Sequence, residues 1–218
     1  MIYNLSQSNS LMQQFVAELR DVTIQKDRMR FRRNIERIGE IAAYEISKKL
    51  EWEDYEVTTP LGVANCKRLV QQPILATILR AGLPLHQGLL NYFDQADNAF
   101  IAAYRKHDSA DGDSFTINME YITAPPLSGS VLILADPMLA TGQSIVETLK
   151  KLYVLGKPKH THIVAAIAST EGIDYVKQHL TNITIWSGAI DEELTAKSYI
   201  VPGLGDAGDL CFGEKTQF

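Results

Sequence analysis

Val131-Leu132-Ile133-Leu134-Ala135-Asp136-Pro137-Met138-Leu139-Ala140-Thr141-Gly142-Gln143-Ser144, continuing into Ile145-Val146-Glu147-Thr148-Leu149-Lys150-Lys151, is the stretch on which the fold turns. Five apolar residues in a row read as a strand, Asp136 closes it, small residues turn the chain, and an amphipathic helix follows. A strand apolar on both faces belongs to a parallel sheet covered by helices on each side. Working outward, the same alternation repeats. Ile74 to Leu79, Ala99 to Tyr104, His162 to Ala168 and Ile183 to Trp186 read as further strands. Helical patterns fill Gly82 to Phe93, Ser144 to Leu155 and Ile173 to His179, the second ended by Gly156 with Pro158 beyond. The fold class is α/β, a mostly parallel central sheet with helices on both faces. Ligands of such sheets bind beyond the carboxyl ends of the strands, here after Leu79, Tyr104, Ala135 and Ala168.

The flanks are less informative. Leu11, Phe15, Leu19 and Val22 recur at helical spacing, as do Phe31, Ile35, Ile38, Ala42, Ile46 and Leu50. The N-terminal part, about residues 1–55, therefore reads as helical. Tyr55 to Leu69, around Pro60-Leu61-Gly62, predicts a hairpin arm. No repeat, low-complexity tract or linker divides the chain, and 218 residues fit one domain over 1–218.

Composition excludes several classes. Forty-five per cent of the residues are hydrophobic and 22% charged, enough for a core and unlike a disordered chain. Lys+Arg number 21 against Asp+Glu 26, a net charge of −5, so no general polyanion binder is expected: no nucleic acid and no acidic membrane surface. Cys66 and Cys211 lie too far apart for a Cys-x-x-Cys motif and support neither a zinc cage nor a disulfide framework. No run approaches the length of a membrane span, and Met1 to Ser10 lacks the basic-then-apolar order of a secretory signal. A cytoplasmic protein is expected.

The central stretch carries its own chemistry. A helix start offers unpaired N–H groups and the positive end of the helix dipole, both suited to a phosphate. Thr141 and Ser144 add hydroxyl donors, and Gly142 allows close backbone approach. Asp136 repels phosphate and suits ribose hydroxyls or a developing positive charge. The same residues also fit a plain strand-to-helix turn with Ser144 as N-cap.

Taken as a whole, Asp136-Pro137-Met138-Leu139-Ala140-Thr141-Gly142-Gln143-Ser144 closely resembles the phosphoribosyl-diphosphate loop of uracil phosphoribosyltransferases, a branch of the type I phosphoribosyltransferase fold. Gln143 departs from the glycine usual there, and would be strained if the site demanded a positive φ. Three further stretches share the resemblance. Leu79-Arg80-Ala81-Gly82-Leu83 looks like the family's turn that binds diphosphate, where Arg80 can present a fork of donors. Tyr104-Arg105 looks like the root of the family's substrate-covering loop, followed by the polar stretch 106–114, whose residues 108–114 read better as a solvated hairpin tip. Tyr199-Ile200-Val201-Pro202-Gly203-Leu204-Gly205-Asp206-Ala207-Gly208-Asp209 looks like the family's uracil-recognition segment.

The resemblance implies a type I phosphoribosyltransferase-like architecture with N-terminal helices and a C-terminal base-binding hood, about residues 190–218. It implies the reaction of uracil with 5-phospho-α-D-ribose 1-diphosphate to give UMP and diphosphate, in pyrimidine salvage. Arg105, Asp136 and Asp206 are the implied catalytic residues. Arg80, Arg105, Asp206 and residues 136–144, namely Asp136, Pro137, Met138, Leu139, Ala140, Thr141, Gly142, Gln143 and Ser144, would hold the phosphoribosyl diphosphate. Ile200, Gly205, Asp206 and Ala207 would line the uracil. Mg2+ is the implied cofactor, carried by the substrate and touched by Asp206 through water rather than ligated by side chains. A homodimer or higher homo-oligomer and a GTP effector complete the implied partners. The rival readings are a phosphoribosyltransferase for another base and a non-catalytic or bifunctional regulator on the same fold.

Some patterns point elsewhere. Gly203-x-Gly205-x-x-Gly208 matches a dinucleotide fingerprint in letters, but with ten residues remaining no helix is expected after it. Lys26 to Arg37 holds six basic residues among twelve and reads as a solvated helical face, with an RNA or effector surface as the alternative. His160 and His162 have no acid or cysteine nearby in sequence and read as structural.

Overall fold

A computed structural model describes residues 1–107 and 115–214. The chain opens with a three-residue strand, β1 (Ile2–Asn4), ahead of the helices α1 (Leu11–Arg20) and α2 (Arg28–Ser47). Three residues are too few to show a periodicity, so a purely helical N-terminal reading passes over β1. Asp27 starts α2, its carboxylate accepting from the Arg30 N–H at 3.0 Å. The arm is the antiparallel hairpin β2 (Trp52–Thr59) and β3 (Gly62–Leu69), in register from Trp52 opposite Leu69 to Thr59 opposite Gly62.

The alternating part follows. β4 (Ile74–Leu79) leads into α3 (Leu83–Leu90), then β5 (Asn98–His107) and β6 (Phe115–Thr123). β7 (Val131–Ala135) and β8 (Met138–Leu139) precede α4 (Gln143–Leu152). β9 (His160–Ser169), α5 (Thr170–His179) and β10 (Ile183–Asp191) come next, then the short pair β11 (Glu193–Leu194) and β12 (Ile200–Val201), and last α6 (Ala207–Phe212). β10 outruns its apolar stretch by five residues. Ser187 and Gly188 break the hydrophobic pattern while the ladder to β9 continues through Asp191 opposite Ser169. α4 gives way after Leu152 to a 3-10 turn at Tyr153–Leu155.

The central sheet has the order β1-β10-β9-β7-β4-β5-β6, with β8 also on β9. Its pairings are parallel except β5 with β6. Successive strand residues point to opposite faces, so each strand feeds two cores. Leu75, Ile133, Val164 and Trp186 join the layer of α1, α2, α3 and α6. Ile74, Ala76, Leu132, Leu134, Ile163 and Ala165 join the layer of α4 and α5. Leu19, Ile35, Leu85, Leu149 and Val176, wholly buried, close the two layers. Each such side chain adds roughly 1.5–3 kcal/mol of transfer free energy.

The order also fixes where a ligand can sit. β4 has β5 on one side and β7 on the other; the chain leaves β4 through α3 toward β5 and leaves β7 through α4 toward β9. The connections thus diverge between β4 and β7, and a crevice opens at the carboxyl ends of those strands. Arg80 and Asp136 are the residues that follow them.

Candidate active site

Three segments meet at this crevice. The turn after β4 presses on β7: a Cβ added to Gly82 would collide with Thr77 Oγ1 and lie 2.9 Å from the Ala135 carbonyl oxygen. Thr77 Oγ1 itself donates to that carbonyl at 3.4 Å. Glycine is what lets the turn sit this low, so Gly82 sets the height of Arg80 above the sheet. The Leu79–Arg80 peptide in this turn is cis.

Arg80 reaches the C-terminal segment. Its Nη2 lies 3.3 Å from Asp209 Oδ1 and donates to the Gly213 carbonyl at 3.2 Å. A Cβ on Gly208 would lie 3.9 Å from both Arg80 Nη2 and the Ala81 Cβ. The diphosphate-type turn and the uracil-type segment are therefore neighbours in space, 129 residues apart in sequence. Asp206 caps α6, its Oδ1 accepting from the Asp209 N–H at 3.0 Å. That short helix is one the sequence reading did not expect: a six-residue helix does fit in the remaining chain.

After β7, Asp136 is half-buried and its Oδ1 accepts from the Met138 N–H at 3.3 Å, shaping the turn. The Pro137 carbonyl takes N–H groups from Ala166 and Ile167, each at 3.0 Å, and β8 continues along β9 through Met138 and Leu139. Gly142, not Ser144, is the N-cap of α4; its φ is +78°, and no side chain caps it. The correction is conformational. The left-handed residue falls on glycine, and Gln143 and Ser144 lie in the first helical turn. Gln143 is not among the positive-φ residues, so its departure from glycine brings no backbone strain. No acid occupies the first turn, and Thr141 Oγ1 accepts only a long 3.5 Å contact from the Gln143 N–H. The positive helix end suits an anion.

This loop is held from behind by residues that sequence reasoning missed. A Cβ on Gly142 would lie 2.7 Å from the Gly172 carbonyl oxygen, and one on Gly172 would collide with the Ala140 carbonyl. Ser169 caps α5 and bridges the two, donating from Oγ to the Ala140 carbonyl while accepting from the Gly172 N–H at 2.8 Å. Their signal was faint: Ser169 directly follows the expected strand end at Ala168, and Gly172 comes three residues after Ser169.

On the C-terminal side, Ile200 and Ala207 bury their side chains in the core. Gly205 is exposed, with φ +98°. Arg105 lies in β5, in register with Ile117 of β6. Residues 108–114, expected as a hairpin tip, lie outside the described residues.

Other candidates resolve into structural roles. Arg30 of the basic run pairs with Glu18 at 2.8 Å and Arg33 with Glu36 at 2.6 Å. Arg32 donates to the Cys211 carbonyl at 2.6 Å and lies over the Phe212 ring. The run thus ties α2 to α1 and α6. His162 Nδ1 accepts from Trp186 Nε1 at 3.0 Å; burial and the neighbouring His160 push its pKa down to about 3. Burial pushes the Cys211 thiol up to about 12, so it is no nucleophile. A recess of about 340 Å³ beside the C-terminal segment is lined by Asp191, Glu192 and Glu193 with Ile190, Val201 and Pro202. Three carboxylates suit no polyanion. No helix among the described residues is long and apolar enough to cross a membrane.

Comparison with known proteins agrees with this layout. The sequence model described as uracil phosphoribosyltransferase matches residues 6–214. A Porphyromonas gingivalis protein named uracil phosphoribosyltransferase is 54% identical over 215 residues, covering 98% of this chain and 99% of its own. A solved Aquifex aeolicus protein superposes with a TM-score of 0.85 at 30% identity, over 98% of both chains. A Staphylococcus aureus hypoxanthine phosphoribosyltransferase, at a TM-score of 0.51 and 12% identity over 86% of this chain and 84% of its own, shares the fold alone.

Proposed function

The chain belongs to the uracil phosphoribosyltransferase family, and we propose from that premise that it joins uracil to 5-phospho-α-D-ribose 1-diphosphate, giving UMP and diphosphate. The observation that carries the reading onto this chain's own residues is the meeting of three segments at the β4–β7 crevice, with Arg80 touching the segment that bears Asp206 and Asp209.

The bond between the anomeric carbon and diphosphate breaks with developing oxocarbenium character while a uracil ring nitrogen attacks. Such a reaction asks the protein to position two reactants and to stabilise charge. The uncapped start of α4, from Gly142 to Ser144, takes the 5-phosphate through its N–H groups. Asp136, at the end of β7, sits beside the ribose and opposes the positive charge that builds on it. Arg80 and Arg105 take the diphosphate, Arg80 exchanging Asp209 and Gly213 for it. Backbone groups of Ile200, Gly205 and Ala207 read the alternating donors and acceptors of the uracil edge, at a depth that excludes purines.

The donor chemistry fits a substrate-borne magnesium ion. Asp206 brings a carboxylate to the C-terminal segment that Arg80 touches. Bound to the diphosphate, the ion would neutralise charge on the leaving group, with Asp206 holding one of its waters. The hairpin β2–β3 supports a homo-oligomer: Trp52, Tyr55, Leu61 and Val63 are exposed on it. The test of the reading is a base panel with phosphoribosyl diphosphate and Mg2+, with and without GTP. Uracil should give the highest kcat/KM, well above cytosine, hypoxanthine and adenine. A preference for any purine would overturn it.

A further inference from the structure

We propose that the ion pair between half-buried Arg20 and buried Asp191 is a positioning device for uracil recognition, acting through both backbone groups of Gly203; this rests on the reading of Tyr199–Asp209 as the uracil segment. Asp191 ends β10 and is 7% exposed, and Arg20 ends α1. They form a two-pronged bond, Arg20 Nη2 to Asp191 Oδ1 at 2.7 Å and Nη1 to Oδ2 at 2.8 Å. Each partner then takes one half of the Gly203 backbone. Asp191 Oδ2 accepts from the Gly203 N–H at 2.9 Å, and Arg20 Nη1 donates to its carbonyl at 3.0 Å.

Gly203 is where such a hold matters. It follows Pro202, has φ +55°, and is packed so tightly that a Cβ would collide with the Ile200 carbonyl. Two residues on is Gly205, exposed and at φ +98°. Three glycines in the six residues 203–208 would otherwise leave the segment free to sample many conformations. Ordering a residue's backbone costs conformational entropy, so a segment pre-set before uracil arrives spares the binding step that cost. The downstream end is fixed separately, by the Asp206 cap. Arg20 and Asp191 fix the upstream end. Their side-chain hydrogen bonds go to each other and to Gly203, so their effect falls on the base half of the site. An apolar filling would stabilise such a spot as well as an ion pair does; the matched pairing to both backbone groups of one residue of the recognition segment is what an apolar filling cannot supply.

The test compares wild type with Asp191→Asn, which keeps the size but gives up the charge. KM for uracil should rise roughly 10- to 100-fold, the worth of one or two charge-assisted hydrogen bonds. KM and calorimetric affinity for phosphoribosyl diphosphate should stay within about twofold, and kcat at saturating uracil should stay near the wild-type value. If the Asn variant fails to fold, Arg20→Lys carries the same test: it keeps the charge, loses the fork, and should show the same split at a smaller size. An unchanged KM for uracil overturns the proposal, as does an equal loss in both substrates. A wild-type chain that makes no UMP would instead overturn the functional reading, so the two failures are distinguishable.

Discussion

Gly172→Ala tests how the 136–144 loop, the proposed 5-phosphate site, is held. Gly172 lies in α5 and outside every motif that marks the site, yet its Cα faces the back of the loop. A methyl group there would collide with the Ala140 carbonyl oxygen and sit 2.9 Å from its carbon and 3.0 Å from the Leu139 oxygen, where ordinary contact begins at 3.4 Å. All three atoms are backbone, so no side chain can swing aside. Either α5 or residues 139–142 must retreat by about 1 Å, a misplacement that can cost on the order of 100-fold in rate. The bond from Ser169 Oγ to the Ala140 carbonyl would lengthen with it, and overpacking of this kind typically costs about 1–3 kcal/mol of stability. Steady-state UMP formation at varied phosphoribosyl diphosphate, with a denaturant melt beside it, reads both effects. The expected result is a kcat/KM for phosphoribosyl diphosphate lower by about 100-fold and a smaller change in uracil KM. A variant with wild-type kinetics and stability would refute the idea that α5 sets the height of the loop.

Other consequences are separable. His162 should make folding sensitive to acid. Its pKa is depressed in the folded chain to about 3 against 6.5 when unfolded, so the unfolded state gains a proton first and stability falls as pH drops below 6.5. Between pH 7 and pH 5 the loss should be about 2 kcal/mol, measured by urea titration, and His162→Asn, which keeps an acceptor for Trp186, should lack it. Arg105→Ala should lower kcat/KM for phosphoribosyl diphosphate by at least roughly 100-fold; wild-type turnover would show that the root of the polar loop has no hand in the reaction. Replacing Leu61 and Val63 on the hairpin arm by lysine should shift sedimentation toward the monomer, and an unchanged sedimentation coefficient would place the contact elsewhere.

Much of the fold was readable because its strands are apolar on both faces, and such runs stand out: Val131 to Ala135 and His162 to Ala168 fall inside β7 and β9. What escaped was set by partners distant in sequence. β1 is strand only because β10 offers it an edge, and β10 reaches Asp191 only because β9 keeps pairing through Gly188. Asp136 was visible as an acid closing an apolar strand, whereas Arg80 and Asp206 stood out only through the family resemblance of the stretches that carry them. The supports were not. Arg20 reads as one more exposed charge at a helix end, and Asp191 lies past the end of the apolar run. Only the tertiary structure joins them across Gly203. Gln143 shows the converse case: a letter that looked strained is unstrained once the positive φ is seen to fall on Gly142.

The central claim, that one crevice between β4 and β7 transfers phosphoribosyl to uracil, is tested most directly by incubating the purified chain with uracil, phosphoribosyl diphosphate and Mg2+ and separating the products. UMP and diphosphate should appear in equal amounts and only when uracil is present. Diphosphate released without uracil, or no UMP at all, would contradict it.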